Sequence, residues 1–326
     1  MSVRFSNGMR VALMAAMLAA VPSAGAQTWP SKPIRLIVGF AAGGGTDLVA
    51  RTVGPKLADA LGQPVIVENK PGASGLLSGE LVAKSPPDGY TLLVTAAGIM
   101  TIAPIFQAKP PFDTFKDFES IALIVTSPFV LVTNPSLPVN TLAEFNALAK
   151  AKPASINFGS AGSGGAPHLS GELYKRMAGI DIVHVPYKGL APALADLLGG
   201  QIQASFADVN LVLKHVEAGK LRALAVTGSR RFAVLPDVPT VSEAGVAGYR
   251  AETWYGLSAP AGTPAAIISR LYAEVRKAVD SPELQKRFVT QGLVPSAFTR
   301  AEYSALIRED YNKWSKLIKD ANIKLN

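Results

Sequence analysis

The chain has 326 residues, of which 48% are apolar and 17% charged, a balance that excludes a disordered or coiled-coil protein and allows one large domain or two ordinary ones. It has no cysteine and three histidines, which excludes disulfides and thiolate chemistry and leaves little material for a metal site. The formal net charge is +8, but the basic residues are scattered and aromatic residues make up only 7%, so a small acidic ligand is expected rather than nucleic acid.

The N-terminal segment is typical of a secretory signal peptide. Arg4 and Arg10 precede an apolar run over residues 11–21, and the small residues Ala24 and Ala26 form the cleavage pattern. The run is too short to cross a bilayer as a helix, which takes ~20 residues. We therefore predict export, cleavage after Ala26 and a soluble mature chain that begins at Gln27. A buried N-terminal helix is the alternative.

Short apolar runs alternate with helical patterns along the rest of the chain. A first strand is predicted over residues 34–40, and the helix after it repeats apolar residues every four positions, at Val49, Val53, Leu57 and Leu61. Further strands are predicted over 65–68, 91–95, 129–133, 156–159, 182–185, 203–206 and 223–227. Capping patterns predict that three C-terminal helices begin after Thr263, Ser281 and Thr299. This alternation predicts an α/β protein with parallel sheets covered by helices on both faces.

One supersecondary device occurs twice in the chain. A strand near residue 34 runs into a glycine-rich loop and a helix, and a strand near residue 155 does the same. Each copy would present glycine amides and a helix N-terminus at the C-terminal edge of its sheet, where ligands bind in open α/β folds. Two such loops on two lobes would meet across a cleft.

The first glycine loop, residues 40–47, suits an anion. Three consecutive glycines, Gly43 to Gly45, let backbone N–H groups approach a ligand, and the helix dipole behind them favours negative charge. A P-loop would need a lysine after Gly45, where Thr46 stands, and a dinucleotide fingerprint would need a third glycine where Leu48 stands. The alternative is a plain turn capped by Thr46 or Asp47. Asp47 is expected to cap the helix rather than to touch a ligand, because its carboxylate would repel a bound anion.

The second glycine loop, residues 160–168, adds hydroxyl groups and an imidazole. The run AGSGG at 161–165 partly resembles a nucleophile elbow, so a serine hydrolase with Ser163 as nucleophile and His184 or His215 as base has to be considered. Neither histidine lies in a recognisable loop with an acid nearby, which makes that interpretation weak. His168 enters the following helix, and a packed residue and a ligand donor are both open for it.

Three further strand ends could contribute to a cleft. Ala97 follows a strand of the first half, Tyr187 follows a strand of the second half, and Asp208 follows the strand over 203–206. Packing at a lobe interface is equally open for Tyr187, and a solvated loop position is the ordinary role for an acid such as Asp208. The pair Trp254-Tyr255 is interpreted as a crossover between lobes or as core.

Motifs in a fixed order extend this pattern over the mature chain. They are WPSKPI at 29–34, FAAGGGTD at 40–47, VENKPGA at 67–73, SPPDGYTL at 85–92, YKG at 187–189, LPDVPT at 235–240 and WYGLSAPAGTP at 254–264. In this respect the chain closely resembles the Bug family of periplasmic solute-binding receptors, the binding components of tripartite tricarboxylate transporters.

The resemblance implies a type II periplasmic-binding-protein fold, with two α/β lobes around a ligand cleft and a two-strand hinge. Residues 27–126 and 251–326 would form the first lobe and 127–250 the second. Family ligands are mostly carboxylates, held by the two glycine loops and partly by ordered water. The ligand-binding residues predicted here are Phe40, Gly43, Gly44, Gly45, Thr46, Ala97, Ser160, Gly162, Ser163, Gly164, Gly165, His168, Tyr187 and Asp208.

The prediction is a periplasmic receptor without catalytic activity that captures a small carboxylate and delivers it to transporter subunits in the membrane. We expect a monomer that contacts those subunits transiently, with no cofactor, no metal and no nucleic-acid partner. A ligand sensor for a signalling partner stays open, as does a serine hydrolase acting on small esters. The stretch around Asp208 varies in the family, so ligand identity does not transfer. Asp208 itself would favour a monocarboxylate with a polar donor over a citrate-like ligand.

Overall fold

The structure, a computed structural model, describes residues 29–160, 162–187 and 190–323. The predicted signal peptide, Ala161 of the second glycine loop, and Lys188 and Gly189 of the YKG motif lie outside the described residues. Within the described ranges, no helix has both the length and the apolar character that crossing a membrane requires.

Strands and helices alternate through most of the chain. The strands are β1 (Ile34–Val38), β2 (Val65–Asn69), β3 (Thr91–Ala96), β4 (Phe118–Thr133), β5 (Asn157–Ser160), β6 (Val183–Pro186), β7 (Ala204–Asp208), β8 (Arg222–Val226), β9 (Glu252–Pro260) and β10 (Val294–Pro295). The α-helices are α1 (Gly45–Leu61), α2 (Leu76–Ala83), α3 (Leu142–Ala151), α4 (Ala166–Ala178), α5 (Leu190–Leu198), α6 (Val209–Glu217), α7 (Ala265–Asp280), α8 (Pro282–Thr290) and α9 (Arg300–Asp320). A π-helical turn (Gly98–Ile102) and a 3₁₀ turn (Ala103–Phe106) follow β3.

The strands form one continuous sheet with a division in the middle of its longest strand. The strand order is β2-β1-β3-β9-β4-β7-β5-β6, and β8 and β10 also pair with β4. The first part of β4, residues 118–128, pairs with β9, and the last part, residues 129–133, pairs with β7 and β8. Strand β4 therefore runs from one half of the molecule into the other.

The predicted parallel pairing holds only away from the centre of the sheet. Strand β1 is parallel to β2 and β3, and β5 is parallel to β6 and β7, but β4 and β9 pair antiparallel with their neighbours. The expectation of parallel sheets therefore holds for the outer strands and is wrong at the centre. The predicted strand over 129–133 is the end of the much longer β4. No strand was predicted from the sequence where β9 lies. Every residue of β9 is buried, so its sequence has no apolar–polar alternation to reveal a strand.

Three apolar clusters pack against this sheet. Val49, Val53, Leu57 and Leu61 are all buried on the inner face of α1, which confirms the predicted amphipathic helix. Helix α9 contributes to two clusters: Tyr303 lies in the cluster of the first half, and Trp314 lies in one that also holds Phe129 and Phe158. The last helix thus ties together the cores on both sides of the division in β4. The lobe boundaries given above stay a prediction.

All three predicted C-terminal helices occur, and two of them begin with the predicted side-chain cap. Thr299 and Glu302 form a reciprocal capping box at α9, and the Ser281 hydroxyl accepts a hydrogen bond from the Leu284 N–H at α8. The third helix, α7, also occurs and begins at Ala265, but the predicted cap at Thr263 is wrong. The Thr263 hydroxyl donates to the carbonyl oxygen of Pro260, and α7 begins after Pro264 without a side-chain cap.

Candidate functional site

A cavity of about 810 Å³ lies between the two glycine loops and receives residues from both halves of the chain. Nine of the predicted site residues line it: Phe40, Gly44, Gly45, Thr46, Gly162, Ser163, Gly164, Gly165 and Asp208. Its walls are mostly apolar, and the described lining residues include no lysine or arginine. A volume of this size is within the range of small-molecule sites.

The first helix N-terminus at the cavity has no side-chain cap. Gly44 is the N-cap residue of α1 in an extended conformation, and Gly44, Gly45 and Thr46 all line the cavity. Within the described residues, the N–H groups of these three residues donate to no other group, and the first intrahelical bond runs from Leu48 to Gly44. Unpaired amides at a helix N-terminus, with the helix dipole behind them, form a site for an anion.

Asp47 holds the first loop in shape without capping its helix. Its carboxylate accepts hydrogen bonds from the Gly43 N–H at 3.0 Å, from Arg51 at 2.9 Å and from Asn69 at 2.9 Å. Burial by itself raises the pKa of Asp47, but these bonds outweigh it and leave the pKa below its usual value. Asp47 and Gly43 do not line the cavity. The arginine beside Asp47 offsets the repulsion that its charge would exert on a bound anion.

The second helix N-terminus has the same form but fewer free donors. Gly165 is the N-cap of α4, extended like Gly44 and likewise without a side-chain cap. Pro167 stands in the first turn and has no N–H, and the Gly164 N–H is already bonded to His168 Nδ1 at 2.9 Å. Two similar helix N-termini therefore face one cavity, and α1 offers the better set of donors.

His168, Ser160 and His184 form a buried support behind the second loop. The rings of His168 and His184 stack with their centroids 3.7 Å apart, and Ser160 Oγ lies 2.7 Å from His184 Nε2. Burial, together with the neighbouring His184 and Lys175, lowers the pKa of His168 to about 3. Burial and Lys175 lower the pKa of His184 to about 4. Both rings are neutral near pH 7, and His168 uses Nδ1 as an acceptor for the loop.

Five predicted site residues are not among those that line the cavity. Gly43 and His168 are bonded within their own loops, Ser160 and Ala97 are fully buried, and the Tyr187 hydroxyl donates to Asp196 at 2.6 Å. For Ala97, the neighbours Ala96 and Gly98 reach the cavity instead. These residues shape the site from behind.

The arrangement expected for a serine hydrolase is not formed by the described residues. The histidine that lies next to a serine is His184, and its partner is the buried Ser160. Ser163 does line the cavity, but no hydrogen bond joins it to a histidine within the described part of the chain. Likewise, no group of three or more potential metal ligands occurs among the described residues.

Asp208 and Tyr255 lie together at the cavity wall near the division of β4. Asp208 ends β7, opposite Phe129 of β4, and it is partly buried without a side-chain hydrogen bond to α6, which begins after it. Burial raises the pKa of Asp208 to about 6. The pKa of Tyr255 is raised by burial and by the charge of Asp208, and both side chains line the cavity.

The sequence did not identify several lining residues. Thr253 and Tyr255 lie two positions apart on β9 and so face the same side of the sheet, while Trp254 between them is buried and donates to Asp310. A strand prediction over 252–260 would have exposed this pattern. Phe106 and Gln107 reach the cavity from the turns after β3, where no sequence motif marks them.

Comparison with known proteins decides the family. Residues 49–323 match the family described as "Tripartite tricarboxylate transporter family receptor". The chain belongs to this receptor family. It is 36% identical to the protein BugT of Bordetella pertussis over 301 residues, which cover 92% of each chain.

Solved structures agree with this assignment. A Rhodopseudomonas palustris protein determined with adipate is 33% identical with a TM-score of 0.80, covering 91% of this chain and 99% of that one. MatC of Rhodopseudomonas palustris with bound malate is 32% identical with a TM-score of 0.76, covering 89% and 100%. The resemblance to the Bug receptors and the predicted periplasmic-binding-protein fold are thereby confirmed.

Proposed function

We propose that this chain captures a small carboxylate in the cavity between its two glycine loops and delivers it to the membrane subunits of a tripartite tricarboxylate transporter. The observation that carries the proposal is the pair of uncapped helix N-termini, at Gly44 and Gly165, that face one cavity whose described lining has no basic side chain. The adipate and malate bound to the two relatives support a carboxylate as the ligand class.

The carboxylate is held by backbone amides rather than by an arginine clamp. The N–H groups of Gly44, Gly45 and Thr46 supply charge-assisted hydrogen bonds at α1, and Ser163 supplies a hydroxyl from the second loop. Ordered water completes the remaining hydrogen bonds of the ligand, as wet sites commonly do. Residues from both halves of the chain contact the ligand, so binding favours the closed arrangement of the two lobes.

The protein acts outside the cytoplasm as a monomer. Its leader is removed after Ala26, and the liganded form contacts the transporter transiently. The predicted leader pattern and the receptor family support this part of the proposal.

Thermal unfolding with a ligand panel tests the proposal. The panel pairs mono-, di- and tricarboxylates and amino acids with their neutral amides. A carboxylate at 100 times its Kd should stabilise the protein by about 2.7 kcal/mol, while its amide should not. Calorimetry on the responding compounds then gives a stoichiometry of one. A panel in which no carboxylate stabilises the protein, or in which each amide does so equally, would overturn the proposal.

A further inference from the structure

Among the described residues that line the cavity, Asp208 is the only aspartate, glutamate, histidine, lysine or arginine. Its carboxylate accepts no hydrogen bond from the described part of the chain, and the described lining offers no cation to pair with it. A partly buried carboxylate without a partner is costly, and its raised pKa reports the same cost. Such a group gains most from a ligand that brings a positive charge or a strong donor.

Asp208 shares its cavity with the proposed anchor for the ligand carboxylate. Tyr255 lines the same cavity, and its hydroxyl lies against Gly45 and leaves no room there for a β-carbon. The charge of Asp208 contributes to the raised pKa of Tyr255. The acceptor Asp208 and the amide donors of α1 thus face one cavity, and Tyr255 lies in the same wall. A ligand that reaches both carries a positive and a negative group on one small molecule.

The rest of the cavity wall is mostly apolar and would not stabilise a second charge on the ligand. Phe40, Ile102, Phe106, Phe129 and Leu211 contribute apolar surface from both halves. An apolar group of the ligand gains from burial there, because its surface is removed from water. A second carboxylate would face either these walls or Asp208, and both are unfavourable for it.

We infer that the ligand is a zwitterion with an apolar body, an amino carboxylate whose carboxylate lies on the α1 amides and whose ammonium group pairs with Asp208. This inference rests on the proposed function, and it names the ligand class of the same site. The ammonium supplies the donors that Asp208 lacks, and the apolar body fills the space between the aromatic side chains. The net charge of such a ligand is zero, so Asp208 selects against di- and tricarboxylates.

Calorimetry with two matched ligand pairs tests the inference. Leucine is compared with 4-methylpentanoate, and phenylalanine with 3-phenylpropionate, because each pair differs only in the ammonium group. The wild-type protein should bind the amino member about tenfold more tightly or better, as close charge pairs at interfaces do. Asp208→Asn should remove that preference while it leaves the binding of the deaminated acid within about threefold.

Asp237→Asn provides the matched control, because it removes the same charge from an exposed position outside the cavity. The Asp237→Asn variant should prefer the amino acid over the deaminated acid as strongly as the wild type does. Asp208→Asn removes no capping hydrogen bond from α6, and retained binding of 3-phenylpropionate shows that its cleft is intact.

The outcomes separate this inference from the proposed function. Equal or tighter binding of the deaminated acids by the wild type overturns the inference, as does a preference that Asp208→Asn leaves unchanged. Binding of a dicarboxylate from the panel, without binding of either amino acid, also overturns it and leaves the proposed function standing. If no carboxylate of any kind binds, both fail together.

Discussion

The Tyr255 hydroxyl occupies the space beside Gly45 where a side chain would begin. Gly45 is the first residue of α1. A β-carbon there would overlap the Tyr255 hydroxyl oxygen and the ring carbon that carries it. The contact joins β9 to the first glycine loop and sets the position of the α1 amides relative to the cavity. Glycine is required here for space rather than for backbone conformation.

A double-mutant cycle tests this contact. Gly45→Ala should destabilise the protein by about 1–3 kcal/mol, because Tyr255 must move away from the new methyl group. In a Tyr255→Leu background the same change should cost much less, since the shorter side chain leaves room. Urea denaturation of the four proteins gives the coupling energy. Equal costs in both backgrounds would show that Tyr255 does not restrict position 45.

The two N-cap glycines provide a matched pair for ligand anchoring. Gly44 and Gly165 are both extended, and a β-carbon at either meets no atom closer than 3.7 Å, so Gly44→Val and Gly165→Val should both fold. Gly44→Val should weaken carboxylate binding about tenfold or more, because its side chain covers the free amides of α1. Gly165→Val should have a smaller effect, since Pro167 leaves α4 with fewer donors.

Calorimetry with the best ligand of the panel measures both effects. Unchanged affinity in Gly44→Val would rule out the α1 amides as the anchor. A larger loss in Gly165→Val would move the anchor to the second loop.

Removal of the Asp47 carboxylate should destabilise the fold. It is buried and accepts bonds from Gly43, Arg51 and Asn69, so Asp47→Ala leaves three donors without their acceptor and should cost about 2–3 kcal/mol. The native pKa lies below the unfolded value of 3.8, so this contribution is present above that pH and is lost as the pH falls further. Asp59→Ala, at an exposed position of the same helix, is the control for urea denaturation at pH 7. Equal stability of the two variants would contradict the structural role of Asp47.

The stacked histidines should make the protein sensitive to mild acid. The pKa of His168 is about 3 in the native state against 6.5 in the unfolded chain, so the unfolded chain binds more protons between these values. Stability therefore falls as the pH drops below 6.5, by about 2 kcal/mol between pH 6.5 and pH 4.5 from His168 alone. The raised pKa of Asp208 opposes this in part, because the native state takes up a proton there near pH 6.

His168→Asn isolates the effect of this histidine. Its side-chain oxygen can accept the Gly164 N–H in place of Nδ1, but the residue does not titrate. Its Tm should fall by several degrees less than that of the wild type between pH 7 and pH 4.5. His215→Asn, on helix α6, is the control and should follow the wild type. A His168→Asn variant that loses as much Tm as the wild type would contradict the proposed linkage.

Export should remove the N-terminal segment after Ala26. Intact-mass measurement on protein from a Gram-negative periplasm should give a chain that begins at Gln27. Replacement of Ala24 and Ala26 by lysine should block cleavage, because signal peptidase requires small residues there. A mature protein that retains residues 1–26 would contradict the predicted localisation.

Much of the local structure follows from the sequence. The four-residue spacing of Val49, Val53, Leu57 and Leu61 correctly predicted the buried face of α1, and Thr299 and Glu302 correctly predicted the start of α9. The eight predicted strands all occur, with bounds shifted by a few residues or, for 129–133, as the end of a longer strand. These signals are local, because they depend on the spacing of side chains along one segment.

The sequence also predicted the two glycine loops at the starts of amphipathic helices, and both loops line the cavity. Only the tertiary structure decided which residues share the cavity with them. It placed the Tyr255 hydroxyl against Gly45, brought Asp208 and Tyr255 into one cavity wall, and bonded His168 to Gly164 and Tyr187 to Asp196. The physical reason is that β4 and β9 pair antiparallel at the centre of the sheet, between segments more than a hundred residues apart. Buried on both faces, these strands carry no periodic signal, and their register becomes defined only when the two halves of the chain pack together.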